Sequence, residues 1–246
     1  MPKSIISLAI ASLILLAGPS EAQFSMSRSE VERQSRLQWL NMKRSMPRPG
    51  DPAIQPFVEC ISYQIIETLD EPYRSMDWEI IVFDDEATNA FAMPGGKIGV
   101  FTGIFRVATT PDALATVIGH EIAHLTEDHV VERARKQLGT DIVSGILSSA
   151  TYGYGSDSIR QGTAIFLGLP FDRRQESEAD VVGLEYMAEA GFDPRSSLQL
   201  WRNMSQLGNG APPEWLSTHP SDDRRMADLA TSLTPALIAY NESLEA

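Results

Sequence analysis

Cysteine is nearly absent from this 246-residue chain: Cys60 stands alone. An internal disulfide is therefore excluded, and so is any zinc site built on several thiolates. Basic residues are also scarce, with 20 Lys and Arg against 33 Asp and Glu and a net charge of −13. So acidic a chain lacks the electrostatic footprint of a nucleic-acid binder, and no nucleic-acid partner is expected. No repeat of 20 to 50 residues appears, which argues against a solenoid. Beyond the first two dozen residues no stretch is long and apolar enough to span a membrane. What is present, 43% hydrophobic and 22% charged residues, is an ordinary globular composition able to bury a sizeable core. With thiols excluded, any metal must be held by His, Asp or Glu.

Lys3 precedes an apolar run over residues 5–17, and Ser20-Glu21-Ala22 follows before Gln23. This reads as a secretory signal peptide over residues 1–22. An uncleaved anchor is the weaker alternative, because thirteen helical residues span only about 20 Å. The expectation is export to a bacterial periplasm, with peripheral membrane association compatible with it.

In the remainder, residues 23–46 have the spacing of a polar amphipathic helix, ended by Pro47-Arg48-Pro49-Gly50. Helical spacing returns over 54–69, with Cys60 read as an inert core thiol. Strands are expected over 78–83 and 97–102, the second after a Pro94-Gly95-Gly96 turn. Thr110-Pro111-Asp112 supplies a capping hydroxyl, a first-turn proline and an acid at the positive helix end. One long helix is predicted from there to about residue 138. The Gly- and Ser-rich stretch 140–168 reads as a flexible or hairpin-like segment. Further helices are expected from about 171 to 190, 193 to 207 and 221 to 240, with a loop over 208–213.

Inside the long helix lies His120-Glu121-Ile122-Ala123-His124. Residues four apart are turned by about 400° and rise ~6 Å, so both imidazoles face one way and can share a cation. Glu121 lies about 100° round the helix, near enough to reach a water at the metal without ligating it. Two helix histidines could equally be merely buried or solvated, so the pattern alone does not decide. A second helix carries Glu176-Ser177-Glu178-Ala179-Asp180. Zinc needs a third protein ligand, and two histidines with a carboxylate leave a fourth corner open. Glu176 can ligate while Asp180, on the same face, accepts the N–H of a ligating histidine. A solvated acidic face is the competing reading, and Glu178 and Glu185 are assigned to it. His129, five residues past His124, should point about 140° away on a continuous helix and is read as structural.

Four blocks resemble the zinc metallopeptidase family that includes the CAAX prenyl protease and the periplasmic β-barrel assembly-enhancing protease. They are Asn89-Ala90-Phe91-Ala92-Met93-Pro94-Gly95-Gly96, His120 to His124, Leu169-Pro170-Phe171-Asp172 through Asp180, and Ser217-Thr218-His219-Pro220 with Arg225. They occur in the family's order across roughly residues 55–235. The extra membrane helices of the prenyl protease and the tetratricopeptide repeats of the periplasmic enzyme have no counterpart here. The resemblance implies a mainly helical α+β, zincin-like fold with a small antiparallel sheet, making residues 23–246 one catalytic domain. It also implies that His219 and Arg225 lie near the metal and stabilise the oxyanion, or that His219 fills the open corner in a resting state. Without it, His219 would be an ordinary loop residue and Arg225 a partner for Asp222 or Asp228. The Phe91-Ala92-Met93 segment resembles the family's cleft-edge strand, to which an extended substrate can add.

The expected activity is a zinc-dependent endopeptidase of the bacterial cell envelope, carrying one zinc ion per chain and acting on misfolded or regulated exported proteins. His120, His124 and Glu176 are the expected ligands and Glu121 the proton carrier. Asp180 orients the first histidine. The alternative is a chaperone-like assembly factor for outer-membrane proteins with latent proteolysis, using 140–171 as a client-binding or gating element. A weaker third is an amidase acting on small amides or cell-wall peptides.

Overall fold

The computed structural model describes residues 27–144, 170–207, 214–220 and 223–245. The segment read as a signal peptide lies outside them, as does residues 145–169 of the Gly- and Ser-rich stretch and the 208–213 loop. In chain order the described elements are α1 (Arg28–Ser45), α2 (Ile54–Ile66), β1 (Glu79–Phe83), β2 (Ala90–Met93), β3 (Lys97–Phe101) and a 3-10 turn at Thr102–Arg106. There follow α3 (Pro111–Thr126), α4 (His129–Ser144), α5 (Arg173–Glu189), α6 (Ser196–Leu207), α7 (Glu214–Thr218) and α8 (Asp223–Glu245). The architecture is α+β and mainly helical. Among the described residues no helix is long and apolar enough to cross a membrane.

The sheet is mixed rather than purely antiparallel. β3 sits in the middle, parallel to β1 (Glu79↔Lys97) and antiparallel to β2 (Met93↔Lys97). β2 and β3 form a hairpin through Gly95 and Gly96, whose φ values of 88° and 74° no L side chain adopts readily. β3 then inserts between its two predecessors, and its direction there makes the β1 pairing parallel. Both faces are buried, with period-two alternation deciding which residue goes where. Ile80, Val82, Ala90, Ala92, Ile98 and Val100 join the main core with α2 and α3. Ile81, Phe83, Phe91, Met93 and Phe101 pack instead under Val31, Trp39 and Met42 of α1. Trp39 meets Phe83 edge-on at 5.8 Å and donates its indole N–H to Glu79 at 2.7 Å. The Ser35 hydroxyl donates to the Pro94 carbonyl at 2.8 Å, tying α1 to the hairpin turn. Cys60 is exposed, correcting its reading as a core thiol. α2 buries Val58, Ile61, Ser62, Ile65 and Ile66, and Cys60 falls off that stripe.

Local chemistry starts the site-bearing helices. The Thr110 hydroxyl accepts from the Ala113 N–H, and Pro111 opens the first turn of α3. Asp172 and Gln175 form a reciprocal capping box at the start of α5. The expected helix from 110 to 138 is two helices. α3 stops at Thr126, Asp128 takes φ 62°, and α4 restarts at His129. Tyr73 anchors the break by donating to the Thr126 carbonyl at 2.8 Å, and Tyr186 donates to the Thr126 hydroxyl at 3.1 Å.

Candidate metal centre

α3 buries thirteen of its sixteen residues, so His120, Glu121 and His124 lie in the interior instead of on a polar face. Polar groups at such depth are costly unless mutually satisfied. The groups that satisfy them come from α5, from Ala92 of β2, from Trp215 of α7 and from His219 just after it. Glu176 is fully buried, Asp180 nearly so, and His219 and Arg225 are 1% and 3% exposed.

Four donor atoms converge. His120 Nε2 stands 3.0 Å from His124 Nε2 and 3.2 Å from His219 Nδ1. Glu176 Oε1 is 3.4 Å from His124 Nε2 and 3.0 Å from His219 Nδ1, while its Oε2 is 3.5 Å from His120 Nε2. A tetrahedron with ~2.0–2.1 Å arms has edges of about 3.3–3.4 Å, so these separations match a zinc-sized cation at the centre. Hydrogen bonding alone suits the cluster poorly. Each imidazole nitrogen carries at most one proton, yet His120 Nε2 faces two other ring nitrogens at once. A cation would satisfy all four lone pairs together, so the donor set fits a metal.

Supporting groups surround the donors. His120 Nδ1 faces Asp180 Oδ1 at 3.0 Å. Asp180 is held in turn by Arg225, whose Nε donates to Oδ2 at 2.5 Å and Nη2 to Oδ1 at 2.9 Å. Arg225 also reaches Glu176 Oε2 with Nη1 at 2.6 Å and donates to the His219 carbonyl at 3.2 Å. Its guanidinium therefore braces the two α5 carboxylates. Burial alone would depress the His120 imidazole, but Asp180 and Glu176 beside it push it up to about 9. Burial and the neighbouring His120 hold His124 well below the usual imidazole range. Against burial, the three histidines keep Glu176 well below the usual carboxylate range, and Arg225 likewise lowers Asp180.

Glu121 points to the other side of the cluster. Its Oε2 accepts the Ala92 N–H at 3.0 Å and its Oε1 accepts the Trp215 indole N–H at 3.1 Å. His219 bridges the two sub-sites, with Nδ1 on the donor cluster and Nε2 3.3 Å from Glu121 Oε1. Trp215 stacks on the His219 ring at 4.9 Å, and its backbone N–H donates to the Thr88 carbonyl just ahead of β2.

All seven residues singled out from sequence, His120, Glu121, His124, Glu176, Asp180, His219 and Arg225, thus come together. Sequence reasoning missed Trp215, for which no spacing signal existed. It also placed His129 away from His124, because a continuous helix was assumed. Across the break at Asp128 the His129 ring turns back on His124, with the two Nδ1 atoms 3.1 Å apart. Phe171 was quoted only as part of a motif. Its ring stacks on His124 at 3.6 Å and is covered on the other side by the Arg133 guanidinium at 3.7 Å.

The sequence profile of peptidase family M48 matches residues 52–232. The chain belongs to that family. The mitochondrial metalloendopeptidase OMA1 of Arabidopsis thaliana is 38% identical over 171 residues, 69% of this chain and 35% of the relative. Its namesake in Homo sapiens is 32% identical over 241 residues, 92% of this chain and 45% of the relative. The β-barrel assembly-enhancing protease of Escherichia coli is 23% identical over 215 residues, 82% and 44% of the two chains. This chain spans between about a third and half the length of these relatives. M48 enzymes are peptidases, so polypeptides are the substrate class the family implies. The expectation of a bacterial periplasm is corrected here. The mitochondrial relatives, at 32–38% identity, resemble the chain more than the E. coli enzyme does at 23%, so the periplasm is withdrawn as the expected location.

Proposed function

We propose that this M48 chain is a zinc endopeptidase that cuts misfolded or regulated proteins in extended, locally unfolded segments. The observation that carries the reading is the spacing of His120, His124 and Glu176 donors, 3.0 to 3.5 Å apart, beside a buried carboxylate that ligates nothing. One zinc ion per chain would be held by those three residues; when bound, it supplies a Lewis acid that polarises a carbonyl and acidifies water. Glu121 is the proton carrier. It accepts the proton of the attacking water at Oε1 or Oε2 and returns it to the nitrogen of the departing amine, so that one water is consumed for each bond broken. The Ala92 N–H holds one oxygen of the Glu121 carboxylate in place for that task, and the Trp215 indole covers the other in the resting arrangement. Asp180 accepts the Nδ1–H of His120, leaving the Nε2 lone pair for the cation, and Arg225 fixes Asp180. Through His120 and Glu176, Arg225 acts as a positioning residue, with its charge also available to offset negative charge on the oxyanion.

β2 supports an extended substrate. It is an edge of the sheet, and the outward-facing groups flanking it include the Ala92 N–H taken by Glu121 and the Thr88 carbonyl taken by Trp215. A peptide added at this edge would pass directly beside Glu121 and must first displace the Trp215 segment. His219 supports the same conclusion, since it stands at the fourth corner that a reacting water needs. The arrangement is that of a resting enzyme whose short α7 segment withdraws when substrate arrives.

Replacing Glu121 with Gln tests the proposal. Casein cleavage should fall by at least about a thousandfold while zinc content stays near one per chain. Cleavage at the parental rate would remove Glu121 from its role, and a parental chain without zinc would remove the metal reading itself. A second reading, a binding factor with largely latent proteolysis, draws on the same closed fourth corner. It would be favoured if Glu121→Gln suppressed aggregation of an unfolded client as well as the parent did while the parent cut almost none of it.

A further inference from the structure

His129 and Glu178 stand outside the set described so far. The expected geometry of a continuous helix sends His129 away from the cluster, and Glu178 lies off the Glu176/Asp180 face. Because the chain turns at Asp128, His129 instead lies edge-on to His124, with ring centroids 5.2 Å apart and Nδ1 facing Nδ1 at 3.1 Å. His124 has no exposed surface and His129 only 2%. On its far side, His129 Nε2 faces Glu178 Oε2 at 3.5 Å, and Arg174 holds that same oxygen at 3.1 Å.

We infer that His129, backed by Glu178, is the positioning residue that sets the tautomer and ring orientation of His124 for metal binding. The inference deepens the metal reading proposed above and rests on it. The proton logic has one solution. His124 presents Nε2 to the donor cluster, so that atom needs its lone pair and the His124 proton belongs on Nδ1. That proton can go only to His129 Nδ1, which must then be an acceptor. The His129 proton is thereby placed on Nε2, on the side where the Glu178 carboxylate can accept it. The reverse assignment puts a proton on His124 Nε2, pointing at the cation. The face of His124 is fixed separately by Phe171, stacked with an interplanar angle of 14°, and His129 fixes rotation within that plane.

The two histidine ligands are therefore supported unequally. His120 is backed by a carboxylate, Asp180, while His124 is backed by a neutral ring whose carboxylate lies one step further out. This predicts that His124 is the more weakly polarised of the two ligands and the one more sensitive to loss of its support.

The experiment compares His129→Leu and His129→Asn in the full chain. Asn keeps an acceptor oxygen near the place of Nδ1, whereas Leu keeps only bulk. Zinc affinity is read by competition with a chromophoric chelator, and Co²⁺ substitution reports ligand geometry through its visible spectrum. Outer-shell partners of metal-bound histidine are worth roughly 10–100-fold in affinity, so Leu should weaken zinc binding by about that factor and alter the Co²⁺ spectrum. Asn should recover affinity to within about threefold of the parent on the same scale. Equal affinity for Leu and parent, or equal loss in Leu and Asn, would overturn the inference. Should Leu fail to fold, the partly exposed Glu178 keeps the question open to test. Glu178→Ala should weaken zinc binding several-fold and Glu178→Gln, which retains an acceptor, should not; an Ala variant matching the parent overturns the backing role. Failure of the parent itself to bind zinc would instead reject the metal reading, so the two failures are distinguishable.

Discussion

Gly119 of α3 lies so close to Gly183 of α5 that a Cβ on Gly183 would stand 2.7 Å from both the Gly119 carbonyl carbon and the His120 backbone nitrogen. The contact brings together the two helices that supply His120, His124 and Glu176 to the candidate metal centre. His120 follows Gly119 directly, and Gly183 lies one turn beyond Asp180, so the backbone approach at this crossing sets the distance between His120 and the α5 carboxylates.

Gly183→Ala should therefore damage the site without touching any side chain in it. The added methyl has backbone, not a flexible side chain, as its neighbour, so the helices must separate. Overpacking of this kind costs about 1–3 kcal/mol. Melting should fall by roughly 3–10 °C for a chain of this size, and zinc affinity should drop at least about tenfold because ligands tolerate only ~0.5 Å of displacement. Parental affinity in a folded variant would show that the crossing does not govern ligand spacing.

His219→Ala separates two roles for the fourth donor. With His219 closing the corner, its removal should raise cleavage of unfolded casein several-fold and weaken zinc binding by about tenfold or more, since one of four donors is lost. A fall in cleavage at full zinc occupancy would instead assign His219 to the oxyanion.

Asp180→Ala removes the acceptor of His120 and takes one carboxylate from the buried Arg225, which keeps its contact with Glu176. Breaking a buried pair on one side costs roughly 3–5 kcal/mol, and the surviving Glu176 contact places this case near the lower end. Calorimetry should record a melting temperature lower by about 6–12 °C.

Chelation provides a test independent of catalysis. A cation held at a hundredfold excess over its dissociation constant stabilises the folded state by about 2.7 kcal/mol. EDTA should lower the melting temperature by about 5–10 °C, and added zinc should restore it. An unchanged melting curve would argue against a metal in the cluster.

Local features were readable before the tertiary structure. The α3 start followed from Thr110, Pro111 and Asp112, because a cap is built within one turn. The shared face of His120 and His124, and of Glu176 and Asp180, followed from helical spacing alone. The break at Asp128 was hidden, since nothing nearby in sequence is a strong helix breaker. It depends on Tyr73 and Tyr186, which reach the end of α3 from other parts of the chain. The parallel pairing of β1 with β3 was hidden as well, because two strands and a turn residue cannot say which neighbour the last strand chooses. Cys60 illustrates a smaller error: a one-position difference in helical phase moves a thiol from core to surface.

The sequence by itself determined the chemistry available to this protein: no site of several thiolates, two imidazoles on one helical face, a carboxylate beside them and a second acidic face elsewhere. Those are covalent and one-turn facts, settled by residue type and by 3.6 residues per turn. Only the tertiary structure decided which groups meet. The Gly119–Gly183 crossing, the turn at Asp128 and the placement of Trp215 and His219 over Glu121 all join residues far apart in the chain. Their positions depend on packing between elements, and no local spacing encodes that.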